Sequence, residues 1–326
     1  MAVSTRAPGR KGPIIPNWLA RQQGVIVIYA LLIAVIVVSA SIEPDFLGHF
    51  NINNLILQVV ALGIVSVGQA VTLLIGGIDL SVGSVISLTT ALASTLMIHD
   101  GDVPLGIVAC VGMAVAVALV NTLGIVWLRV APFIMTLATM TMVQGIALAV
   151  LPAPGHPVAA GFTNLSYQQV GPLPLPAIPL IVTVVGAFVV LRVSGFGKHV
   201  YATGGNEVVA RLSGIRTARI KLAVYLISSL FACLAGLTLT SRMASGDPLV
   251  GQPYSLDSVT AAVIGGLSLF GGRGSVMGAF AGAVVLTILS NVLNLQNVSP
   301  YYQSILKGAI IIIALSISFG RRGTKE

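Results

Sequence analysis

The chain has 326 residues, 56% hydrophobic and only 8% charged, with a mean hydropathy of +0.99. Soluble domains carry about 25% charged residues, so this composition excludes a soluble fold with one apolar patch and defines a polytopic, all-α membrane bundle. A net charge of +8 would suggest a nucleic-acid partner in a soluble protein. Here the position of the cations along the chain explains it as membrane orientation, and no nucleic acid is expected.

A basic segment, residues 1–23, precedes an apolar run from Val25 to about Ala40. No small-residue cleavage site follows it, so the run reads as an uncleaved first span rather than a signal peptide. Crossing roughly 30 Å of hydrocarbon takes about 20 apolar residues. About ten spans satisfy this, near 24–42, 55–76, 80–98, 104–128, 132–151, 175–194, 219–241, 256–270, 275–295 and 303–320. The eighth is short, which suits a tilted or re-entrant segment. The connection 152–174 is rich in Pro and Gly without formal charge, and reads as an ordered or partly re-entrant loop. One transmembrane domain, 24–320, is therefore expected, with tails 1–23 and 321–326. The two cysteines, Cys110 and Cys233, lie in apolar runs, and neither they nor the four histidines have metal-ligand spacing.

With the N-terminus inside, all of the 17 Lys and Arg except Arg242 and Lys307 fall on inner segments. Six lie between Arg192 and Lys221, and Arg321, Arg322 and Lys325 follow the last span. Glu43, Asp45, Asp100, Asp102, Asp247 and Asp257 are outer. The positive-inside bias thus places both termini in the cytoplasm. The acidic outer loops 43–53, 99–103 and 243–257 suit a basic rim on an extracytoplasmic partner.

Asp79 stands in an apolar region, within "LLIGGIDLSVGSVISL". Gly76, Gly77 and Gly83 disfavour continuous helix by about 1 kcal/mol each, so Asp79 sits at a break between the second and third spans. Three roles fit it. It can cap the third span by accepting from the backbone N–H of Ser81 or Val82, form part of an inner gate or partner interface with these glycines and Ser81, or relay protons. "IGGIDLSVGSV" at 75–85 is echoed by "IGGLSLFGGRGSV" at 264–276, both at inner turns, as in a parallel internal repeat.

The most informative polar stretch is the inner loop of about 195–219. Asn206 is a good N-cap, Glu207 suits a first turn, and Gly214 suits a helix stop. The short helix between them places Val208, Val209 and Leu212 on one face, flanked by Arg211. Such a helix can lie on anionic lipid or enter a groove on a cytoplasmic protein.

"GGNEVVARLSGI", "GGIDLSVGS", "AAVIGGLSLFGGRGSVMGAFAGA" and "NVSPYYQSILKGAIIIIAL" together resemble the ribose/xylose/galactose-type permeases of ATP-binding-cassette (ABC) importers, a group that includes the autoinducer permease and belongs to the branched-chain/sugar permease superfamily. The resemblance covers about residues 20–320. It implies a multi-pass protein of the bacterial cytoplasmic (inner) membrane and a second permease chain, identical or sister. It further implies two cytoplasmic ABC ATPase subunits and a periplasmic or extracellular sugar-binding protein. The equivalent loop, 204–215, would carry the ATPase-coupling helix, with Gly205, Asn206, Glu207, Val208, Val209, Ala210, Arg211, Leu212 and Gly214 at the contact. Val208-Val209 replaces the commoner Glu-Ala pair, which weakens any claim that a second acid is needed at the contact and leaves the rest of the resemblance intact. The chain has no GxxxxGK[ST] phosphate cradle, so ATP and Mg are expected on the partner subunits and no cofactor on this chain.

A neutral polar solute needs hydroxyl-compatible side chains along its path. Gln58, Gln69, Thr72, Asn121, Gln144, Asn291 and Asn294 are candidates, although such residues also join helices to one another. An ion-coupled secondary transporter is the alternative, but its usual deep, paired charge is missing from a nearly neutral interior. An intramembrane serine protease would need a histidine near the serine within the membrane, and a passive channel would need no coupling loop.

Overall fold

The computed structural model describes residues 17–299, 301–309 and 312, with side chains from residue 27 onward. The helices are α1 (Asn17–Ile42), α2 (His49–Leu74), α3 (Ser81–Leu96), α4 (Val103–Thr122), α5 (Pro132–Val150), α6 (Ala160–Asn164), α7 (Ala177–Val193), α8 (Gly195–Gly205), α9 (Glu207–Leu212), α10 (Thr217–Met243), α11 (Gln252–Ile264) and α12 (Val276–Leu295). A last helical segment, α13, covers 301–309. Proline opens α5 and stands in the first turn of α4 and α11, where its missing N–H costs nothing.

Among the described residues, five helices are long and apolar enough to cross a membrane: α2, α4 with its flanking turns, α5, α10 and α12. The pair α7–α8 counts as a sixth if its 77° bend interrupts one span. The fold is thus an all-helical membrane bundle. The first expected span corresponds to α1. The tenth, 303–320, is described as helix at 303–309 and at 312, and the rest of it lies outside the described residues together with 1–16 and 321–326.

α2 is the centre of the bundle, with 78% of its most apolar window buried, against 28% for α4 and 22% for α5. Lipid tails offer no hydrophobic drive between helices, so close packing must come from small residues. Gly68 on α2 meets α10 at Ser228, and Gly236 on α10 meets Thr89 on α3; a Cβ there would stand 3.3 Å from Ser228 Cα and 2.7 Å from Thr89 Cβ.

Two expected spans are shorter than their apolar stretches. α3 covers only Ser81–Leu96, roughly 24 Å at 1.5 Å per residue. The segment expected at 256–270 is instead α11, which starts at Gln252 and ends at Ile264, roughly 20 Å long. Ahead of it, residues 244–251 run beside α3 as a strap. Thr90 Oγ1 donates to Asp247 O at 2.6 Å, Gln144 Nε2 to Pro248 O at 2.7 Å, and Gly251 N to Ser87 Oγ at 3.1 Å. Irregular backbone inside a membrane fold persists only where protein groups or water satisfy it, and here side chains of α3 and α5 do so. Asp257, expected in an outer loop, lies in α11 and pairs with Lys307 of α13 at 2.7 Å.

The 152–174 connection is ordered. His156–Pro157 pairs with Ser245–Gly246, Ala159 N donates to Met97 O at 2.8 Å, and Gly161 N donates to Asp100 Oδ1 at 2.7 Å.

Candidate functional site

A helix as short as α9, Glu207–Leu212, is marginal alone, and local contacts hold it. Asn206 is extended, and its Oδ1 accepts from Val209 N at 3.1 Å. Gly214, at φ +85°, makes the left-handed turn that ends the helix at no steric cost. Glu207 accepts from Arg211 Nη2 at 3.2 Å and from Lys221 Nζ at 2.8 Å. Partial burial pushes the Glu207 carboxyl upward, but hydrogen bonding and charge from Lys221, with Thr217 and Arg211, outweigh it and hold the group below its usual range. Lys221 belongs to α10, so this pair ties α9 to a long helix. Ala210 faces the fold, while Val208, Val209 and Leu212 are 66%, 56% and 84% exposed.

Immediately before α9, three glycine turns meet backbone to backbone. Gly272 N donates to Leu74 O at 2.9 Å. A Cβ on Gly271 would stand 2.7 Å from Gly76 N and 2.8 Å from Gly204 O, and one on Gly204 would run into the Leu74 carbonyl. Gly76, Gly271 and Gly272 have φ of +76°, +84° and +70°, so these turns also need glycine conformationally. Tyr201 Oη adds a bond to Gly274 O at 3.0 Å. The two echoed segments, 75–85 and 264–276, therefore touch each other and the end of α8.

Asp79 is fully buried at the α2–α3 break. Its Oδ1 accepts from Ser81 N at 3.0 Å and from Ser81 Oγ, and its Oδ2 accepts from Ser228 Oγ at 2.8 Å. Asn121 Nδ2 donates to Ser81 Oγ at 2.9 Å. In the amide orientation that satisfies both groups, Gln69 donates to Asp79 O at 2.9 Å and accepts from Asp79 N at 3.2 Å. The carboxylate thus joins the start of α3 to α10, while the Asp79 backbone bonds α2 through Gln69 and Ser81 Oγ bonds α4 through Asn121. The neighbouring carbonyls are also satisfied: Thr136 Oγ1 donates to Ile78 O at 2.9 Å and Ser255 Oγ to Leu80 O at 2.8 Å. Gly77 leaves room for the Tyr225 phenol, whose oxygen would be 2.6 Å from a Cβ at that position. Gly83 meets Gly251 O at a virtual Cβ distance of 2.6 Å. Ser228, Tyr225 and Ser255 had no local sequence signal, because their partners lie far along the chain.

The path candidates separate into two groups. Gln69, Thr72 and Asn121 are buried at the break, where Thr72 Oγ1 donates to Gln69 O at 2.8 Å, while Gln144 holds the strap. Gln58, Asn291 and Asn294 instead gather at the opposite end of the bundle around one cavity, together with Asn51, Asn54 and Arg242. Among the described residues no cluster of His, Cys, Asp or Glu could hold a metal ion.

A buried break, a strap and a clamped surface helix define a membrane permease scaffold. Residues 51–315 match the family described as branched-chain amino acid transport system / permease component, and the chain belongs to it. It is 40% identical to a ribose import permease of Bacillus subtilis, covering 87% of this chain and 89% of that one. It is 33% identical to an L-arabinose ABC transporter permease of Azospirillum brasilense, covering 94% and 90%. A galactose/methyl galactoside import permease of Haemophilus influenzae is 31% identical, covering 92% and 94%. No solved structure gives a significant match.

Proposed function

We propose that the chain is the transmembrane permease subunit of an ABC importer, passing a pentose, a hexose or a similar small polar solute delivered by an extracytoplasmic binding protein. The observation that carries this reading is near full-length similarity to import permeases for three different sugars. The energy source is then ATP with Mg on two cytoplasmic ATPase subunits, and a second permease chain completes the pathway. Ten spans with both termini cytoplasmic, in the bacterial inner membrane, accommodate the one-sided distribution of Lys and Arg.

In this reading α9 has a mechanical role. Its exposed Val208, Val209 and Leu212 offer an apolar face for an ATPase groove. Glu207 fastens it to α10 through Lys221, and the glycine junction at Gly204 fastens the adjoining α8 to the end of α2 and the 265–275 turn. A displacement of α9 therefore moves α10, α2 and the α11–α12 turn together, as rigid-body rocking between access states requires.

Reconstitution with the ATPase and binding protein tests this reading. ATP-dependent uptake of labelled ribose, galactose or arabinose is expected, and a thiol introduced by Val209→Cys should cross-link to the ATPase. Uptake that proceeds unchanged without the ATPase, or cross-links that reach lipid alone, would refute it.

A further inference from the structure

At the end of the bundle opposite α9, a cavity of about 580 Å³ lies between the start of α2 and the ends of α10 and α12. That volume falls in the range of small-molecule sites. Asn51, Asn54 and Gln58 line it from α2 and Asn291 and Asn294 from α12, each set at helical spacing. Arg242 enters from α10, and Asp45 stands on the 3-10 turn before α2. Gln58 is in the third turn of α2, so the cavity reaches roughly 14 Å along that helix.

The fold uses only part of this polar surface. Asn51 and Asn291 exchange amide bonds at 3.1 and 2.9 Å, and Asn294 Oδ1 accepts from Gln303 at 2.7 Å. Asn54, Gln58 and Arg242 are half-buried on the cavity wall and make no hydrogen bond or ion pair with described residues. Polar groups on a membrane bundle face a path or a cavity, and these three face this one. The three do not serve as interhelical glue, which would show them bonded, as Asn51 and Asn291 are.

We infer that this cavity is the receiving subsite of the permease for a neutral, polyhydroxylated solute. The inference rests on the function proposed above and adds where the solute is first held and by which groups. A carboxamide both donates and accepts, as a hydroxyl does, so Asn54 and Gln58 match a polyol in either orientation. The Arg242 cation adds charge-assisted donors for hydroxyl oxygens. Asp45 on the same wall carries the opposite formal charge. A pocket built to hydrogen-bond hydroxyls rejects analogues that lack them, because its own polar groups would be left unpaired.

The test uses the full chain in lipid nanodiscs carrying Asn54→Cys. The native Cys110 and Cys233 are buried, so the unsubstituted chain gives the labelling blank. Ribose, galactose or arabinose at roughly twice its Kd should slow labelling of the introduced thiol by a hydrophilic reagent about threefold. Sodium phosphate and sodium acetate should leave the rate unchanged. Adding Arg242→Gln should raise the protecting sugar concentration about tenfold, with partial recovery in Arg242→Lys. Absence of protection, or equal protection by phosphate or acetate, overturns the inference. Gln58→Leu in the complete transporter separates it from the functional reading. If sugar uptake persists with an unchanged KM, the subsite is wrong and the importer stands. If wild-type uptake fails while sugars still protect, the subsite stands and the importer reading falls.

Discussion

Gly204→Ala isolates the junction between α8 and the rest of the bundle. In a free helix this change is favourable by about 1 kcal/mol, because alanine is the better helix former. Here the new Cβ would overlap the Leu74 carbonyl oxygen and stand 2.7 Å from Gly272 N. Both are backbone atoms, so no side chain can rotate out of the way. The 2.9 Å bond from Gly272 N to Leu74 O must lengthen or break. Overpacking costs about 1–3 kcal/mol and the lost buried bond about 1 kcal/mol more. A net destabilisation of about 1–3 kcal/mol remains after the helical gain is subtracted. The larger consequence falls on coupling, since α9 would be released from α2 and the 265–275 turn while keeping its bond to Lys221. In proteoliposomes with the partner subunits, uptake per ATP hydrolysed should fall about tenfold or more, while ATPase binding stays intact. Gly186→Ala on α7 is the control, because a Cβ there meets nothing within 4 Å, and it should transport normally. Equal transport by the two variants would refute a mechanical role for the junction.

Three further outcomes are expected. Ser228→Ala removes one donor from the buried Asp79 carboxylate and should cost about 1–3 kcal/mol in detergent unfolding; Asp79→Ala removes the acceptor that Ser81 and Ser228 share and should cost more. Lys307→Met leaves Asp257 partly buried without its partner, and should destabilise by about 3 kcal/mol, more than the double change Lys307→Met with Asp257→Leu; equal effects would exclude coupling of the pair. The Glu207 carboxyl is held below its usual value of 4.5, so its folded form favours ionisation. The stabilisation it gives α9 is then complete above that value and lost as pH falls through the lowered one. Hydrogen-exchange protection at 206–214, taken relative to the intrinsic exchange rate at each pH, should fall in acid, and Glu207→Gln should remove that dependence.

The sequence alone determined the membrane class, most of the long helices and the architecture of α9. These are local properties: an apolar run long enough to span, an Asn before the first turn, and a glycine after the last. It also marked the break at Asp79, since glycines and a carboxylate inside an apolar run leave little else. Tertiary structure decided what those features touch. The third and eighth apolar stretches each form a short helix because the residues beside them are bound by side chains from α3, α5 and α11, which no local window contains. Asp79 meets Ser228 and the glycine turns meet each other across long intervals of chain. Gln58 and Asn291 come to share a cavity that Gln69 and Asn121 do not enter. Helices that are apolar on every side show no inward face in their periodicity, so only the packing of small residues chooses their neighbours and places the polar groups together.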